Sequence, residues 1–124
     1  MFNLQIKPEK KVFLITLGGL INNQEAQKAK EELLKKFKTV NTSEYYLVFD
    51  CQELKASAQD MLDQEKRNIE LLVNTPFKGR FLIESKTLIT NMQAKRIAGS
   101  ALSQLTTVHS YDEFVSITRL QKAV

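Results

Sequence analysis

Asp50 follows the apolar run Tyr45-Tyr46-Leu47-Val48-Phe49, and a polar stretch, Gln52-Glu53-Leu54-Lys55-Ala56, separates it from Ser57, where a helical pattern opens. A carboxylate at the carboxyl end of a buried strand stands where ligands and regulatory groups gather in open α/β sheets. It could take a phosphoryl group, but that chemistry needs magnesium held by an acidic pair after the first strand. Here the first strand runs into Lys7-Pro8 and the second into Gly18-Gly19. Asp50 is therefore read as ending its strand and bonding loop amides. Ser57-Ala58-Gln59-Asp60 has the form of a helix cap, and the free amides of a helix N-terminus would also stabilise a phosphate added to Ser57. Asp60, with Asp63 and Glu65, puts negative charge where the helix dipole favours it. Asp50, Ser57 and Asp60 are the regulatory or interaction candidates.

Other reactive side chains carry less. Cys51 has a negative neighbour rather than the base or cation that would activate a thiol, and reads as a small buried hydrophobe. His109 is the one histidine, too few for a multi-histidine metal site. Gly18-Gly19 lacks the spacing of either nucleotide-binding glycine motif and reads as a tight turn. No metal, no cofactor and no catalytic constellation is expected, because no nucleophile, base and electrophile can be named together.

The elements that must hold these residues follow from hydrophobic period. Phe2, Leu4 and Ile6 alternate with polar residues as in an edge strand with one wet face, and Val12–Leu17 reads as a strand buried on both faces. The polar turn Pro8–Lys11 between them predicts an antiparallel hairpin. Gly18-Gly19 ends the second strand; Asn22 caps a helix to about Phe37, with Glu25 completing the cap and Ala26, Ala29, Leu33 and Phe37 on its inner stripe. Val40–Ser43 is a linker and Tyr45–Asp50 the next strand. Met61, Leu62, Ile69, Leu72 and Val73 mark a second helix stopped by Asn74-Thr75-Pro76. Phe81–Ile83 is a buried strand, Leu88–Leu105 an unusually apolar third helix, and Thr106–His109 a short strand. Ser110-Tyr111-Asp112-Glu113 then caps a last helix carrying Phe114, Ile117 and Leu120.

The fold class is thus α/β: an initial β-hairpin, then alternating β-α units making a mostly parallel sheet of about five strands with about four helices. A chain of 124 residues fits one domain, 1–124. With 43% hydrophobic and 26% charged residues, it has the composition of a globule rather than a disordered chain. A single cysteine and no signal-like N-terminus lead to an expected cytoplasmic location. The longest apolar run is too short for a transmembrane segment. The net charge of +4 is spread over lysines interleaved with acids, such as Glu31 with Lys35 and Glu32 with Lys36, so nucleic acid is not an expected partner.

The element order resembles that of STAS domains, the anti-sigma-factor-antagonist fold, and especially the small stand-alone bacterial STAS/Sec14-like proteins. The hairpin, the strand ending in Asp50, the helix opening at Ser57, the strand Phe81-Leu82-Ile83 and the Ser110–Phe114 helix start carry the likeness over nearly the whole chain. Phosphorylatable members open that helix with Asp-Ser-Ser/Thr-Gly. Here Ala56 precedes Ser57 and Ala58 follows it. A flavodoxin-like fold is the structural alternative, weakened by the initial hairpin. The resemblance implies a non-enzymatic regulatory or protein-interaction module with a protein partner, a homodimer among the options. The alternative function is a binder or carrier of an apolar ligand such as a lipid or fatty acyl group, with Leu88, Met92 and Ile97 of the third helix as candidates.

Overall fold

Val12, Phe13 and Ile15 are almost wholly buried, as a strand covered on both faces must be, and they form the heart of β2 (Val12–Gly19). The computed structural model describes residues 1–55, 62–87, 99 and 104–123. β1 (Phe2–Lys7) lies antiparallel to β2, from Phe2 opposite Leu17 to Lys7 opposite Val12. The turn between them closes with Lys11 at a left-handed φ of 56°. On the other side of β2 come β3 (Tyr46–Leu54), β4 (Gly79–Ile83) and β5 (Thr106–Val108), each parallel to its neighbour. The result is a five-stranded sheet in the order β1-β2-β3-β4-β5, antiparallel only at the β1 edge.

Strand alternation divides the core between two faces. On one, Phe13, Ile15 and Leu47 pack with Leu33 of α1 (Asn23–Phe37) and Leu72 of α2 (Leu62–Asn74), and Phe2, Leu4 and Ile6 extend that layer to the edge. On the other, Val12, Tyr46, Val48, Phe81, Ile83 and Val108 pack with Phe114 of α3 (Tyr111–Ala123). Each layer contains an aromatic trio. Phe13, Phe37 and Phe77 have ring centroids 5.3 to 6.0 Å apart, and Tyr46, Phe81 and Phe114 lie 4.8 to 5.9 Å apart in edge-to-face geometry. Such contacts add roughly 0.5–1.5 kcal/mol each beyond burial.

The caps follow the sequence with one twist. Asn22 Oδ1 accepts from the Glu25 amide at 2.8 Å, and Ser110 Oγ accepts from the Glu113 amide at 3.1 Å. The reciprocal halves move. Glu25 pairs with the Met1 amino group at 3.1 Å, and Glu113 accepts from the His109 amide, one residue before the cap. At the other end of α2, Arg80 reaches back from β4: its guanidinium donates to the carbonyls of Leu72, Val73 and Thr75, which the helix end leaves without partners.

Several expected boundaries change, β4 among them, which starts two residues earlier at Gly79. β2 runs on through Gly18-Gly19 instead of stopping at Leu17, because the backbone of Gly18 pairs with Met1 on one side and its register continues with Glu53 on the other. β3 in turn continues to Leu54, so Gln52–Leu54 is strand rather than loop. The linker after α1 contains a 3₁₀ turn, Thr42–Glu44. The expected helix Leu88–Leu105 falls, apart from Gly99, Gln104 and Leu105, outside the described residues. Among the described residues no helix is long and apolar enough to cross a membrane.

Candidate interaction edge

The carboxyl end of the sheet is built on the extra length of β2 and β3. Thr16 faces Asp50, but Gly18 faces Glu53, so Cys51 and Gln52 together oppose Leu17 in a β-bulge. β4 pairs with β3 only as far as Asp50, opposite Ile83. Asp50 therefore stands inside a strand, at the point where pairing on one side lapses and the other side bulges. Its Oδ1 accepts from the backbone amide and the side-chain amide of Gln52, at 3.1 and 3.2 Å. The expected bond to a neighbouring amide is present, while the expected strand end is displaced to Leu54. Cys51 is buried, in keeping with a small-hydrophobe role.

Beyond Ile83 the chain folds along the extension of β3. The Lys86 amide donates to the Gln52 carbonyl, and the buried Ser85 hydroxyl donates to the Leu54 carbonyl at 2.9 Å. Lys86 and Glu53 form an exposed ion pair on the outer side. The hydrogen bond that Lys86 donates to the Glu53 carboxylate, and then the carboxylate's charge, raises the Lys86 pKa above the ordinary lysine value. The other strand contributes a turn. Gly19 has φ +64° with open space where a Cβ would stand, and its carbonyl accepts from the Lys55 amide at 3.0 Å. Leu20, which follows, is 65% exposed. Among the described residues, this edge thus carries the outward apolar side chains of Leu20 and of Met1, which lies against Gly18, beside a rim of Glu53, Lys55 and Lys86.

Sequence reasoning singled out Asp50 and did not single out this rim. Nothing in local spacing joins Glu53 to Lys86, 33 positions apart. Leu20 did carry a signal, a large apolar residue between Gly18-Gly19 and Asn22-Asn23, where turns are polar. Ser57 and Asp60 lie outside the described residues, as do Leu88, Met92 and Ile97. His109 is well exposed, with Nδ1 3.5 Å from Glu84. Among the described residues no three His, Cys, Asp or Glu side chains come together as metal ligands would.

A crystal structure from Shewanella loihica PV-4, of an uncharacterized protein from the DUF3478 family with a SpoIIAA-like fold, matches with a TM-score of 0.66 at 12% sequence identity. The match covers 94% of this chain and 90% of that one. The fold is therefore SpoIIAA-like, the STAS-like arrangement that the element order resembles. No protein-family model matches the chain, and no curated protein matches it.

Proposed function

We propose that this protein is a non-enzymatic regulatory module of the STAS type that binds a protein partner through the carboxyl edge of its sheet. The observation that carries the reading is the exposed Leu20, set beside the charged side chains of Glu53, Lys55 and Lys86 on a SpoIIAA-like scaffold. An apolar anchor within a polar rim is the usual anatomy of a protein–protein contact. The rim is held by backbone bonds and by Ser85, so it would bind without a large ordering penalty. Asp50 supports the bulge from within, and Ser57 and Asp60, which precede α2 in the sequence, are the regulatory positions of this reading. A phosphate on Ser57 would add negative charge three positions before Asp60 in the sequence and repel an acidic partner surface.

The test is cross-linking in the native host followed by affinity purification and mass spectrometry, comparing the natural chain with Leu20→Arg, Asp60→Lys and a bulky Ser57→Trp. A protein recovered with the natural chain and lost with all three variants, at unchanged melting temperature, supports the module. Full recovery with folded variants overturns it.

A further inference from the structure

We infer that the opposite, amino end of the sheet, together with the last turns of α1, is a docking surface for an anionic lipid bilayer. The lysines scattered in sequence are gathered here by the register. Lys7 faces Val12, Val12 faces Tyr46, and Tyr46 faces Gly79, so these ends form one row across four strands. Three strand spacings make that row about 15 Å long. The Lys11 carbonyl accepts from the Tyr46 amide, and the Lys78 amide donates to the Tyr45 carbonyl, which fixes both lysines in the row. Each ammonium group rests over a tyrosine: Lys7 over Tyr111 at 4.8 Å, Lys11 over Tyr45 at 5.4 Å and Lys78 over Tyr46 at 5.2 Å. The rings hold the charges at the rim.

α1 turns the corner of this surface. Its last residue, Phe37, packs on Phe13 and Phe77, and Phe77 immediately precedes Lys78. Lys30, Leu34 and Lys38 stand four residues apart and share a face. Leu34 is 39% exposed between the two cations. The acids around it are Glu9 in the hairpin turn, Glu44 at 3.6 Å from Lys11, Glu31 and Glu32 one turn back on the helix, and Asp112, which follows Tyr111 in the sequence.

Three features favour a bilayer over other polyanions. The cations are all lysines, compact charges without the bidentate fork that a defined phosphate or carboxylate site uses. Tyr45 and Tyr46 are buried beneath the lysines, so they offer no open face for stacking nucleobases. An exposed leucine flanked by lysines on one helical stripe suits the boundary between headgroups and acyl chains. Clusters of this size bind anionic leaflets by additive, salt-sensitive attraction. The lipid surface would then leave the carboxyl edge facing outward.

The test is vesicle flotation of the full chain with phosphatidylcholine alone and with equal parts phosphatidylcholine and phosphatidylglycerol, at low and high salt. Co-flotation with the anionic vesicles only, released by salt, is the expected result. The pair Lys38→Glu and Lys78→Glu should weaken it roughly tenfold or more. Leu34→Ser, an exposed change that spares the fold, should weaken it severalfold. Lys86→Glu, on the other edge, should leave it unchanged. Equal recovery with neutral vesicles, no recovery with either, full retention by the folded charge-reversed variant, or binding to duplex DNA in preference to vesicles of equal phosphate content would overturn the inference.

Discussion

The hydroxyl of Ser85 donates to the carbonyl of Leu54 at 2.9 Å, joining the exit of β4 to the end of β3 across 31 positions of chain. Without it, the extension of β3 would lose a buried partner just where β4 has stopped pairing. Ser85→Ala should therefore destabilise the fold by about 0.5–1.5 kcal/mol, the net worth of one hydrogen bond to a half-buried carbonyl. Urea unfolding measures this, and an unchanged midpoint would show that water replaces the bond freely.

Arg80 closes the end of α2 with three carbonyl acceptors. Replacing it with Ala should cost about 1–3 kcal/mol, because several carbonyls lose a charged donor at once. Lys, with a single ammonium in place of the fork, should recover only part of that. Hydrogen exchange should report the loss at the last amides of α2 first; uniform loss through the chain would argue against a capping role.

Phe114 is 1% exposed and contacts Tyr46, Phe81 and Tyr111. Phe114→Ala should cost about 3–5 kcal/mol, since a large cavity opens beneath α3. Phe114→Leu should cost less because it retains most of the apolar volume. Thermal unfolding of the two variants tests the order, which would be reversed or flattened if α3 were loosely docked.

Glu53 raises the Lys86 pKa by its hydrogen bond and then by its charge. A raised folded-state pKa for a lysine favours the folded state below the ordinary lysine pKa. That contribution fades as pH climbs through the raised folded value. The pair is exposed, so the effect on stability at neutral pH should be small and should shrink further with salt. NMR titration of the Lys86 side chain should find its pKa above the ordinary lysine value, and Glu53→Gln should lower it. A titration unmoved by Glu53→Gln would mean the two side chains part in solution.

The hairpin, the inner stripe of α1 and the cap at Ser110 were legible because each rests on contacts within a few residues or on a simple period. The ends of β2 and β3 were not. Two glycines in a row read as a turn, and only the pairing of Gly18 with Met1 on one strand and Glu53 on another makes them strand. Gln52-Glu53 likewise reads as polar loop, although a parallel partner and the bond from Lys86 keep it extended. Asp50 was recognisable from the apolar run before it. Its rim partners depend on tertiary register, which leaves no trace in local spacing.

The bulge at Cys51 and Gln52 has a consequence for how such an edge can change over generations. Pairing on both sides of β3 is in step up to Asp50, and everything beyond is offset by one residue. Losing one residue there would leave Glu53 opposite Gly18 in a regular ladder and remove the extra bend and twist that the bulge gives the end of β3, changing the aim of the rim while Leu47, Val48 and the layers they hold stay in place. A single-codon deletion or insertion at that spot is thus a route by which this scaffold could exchange one partner for another and still fold.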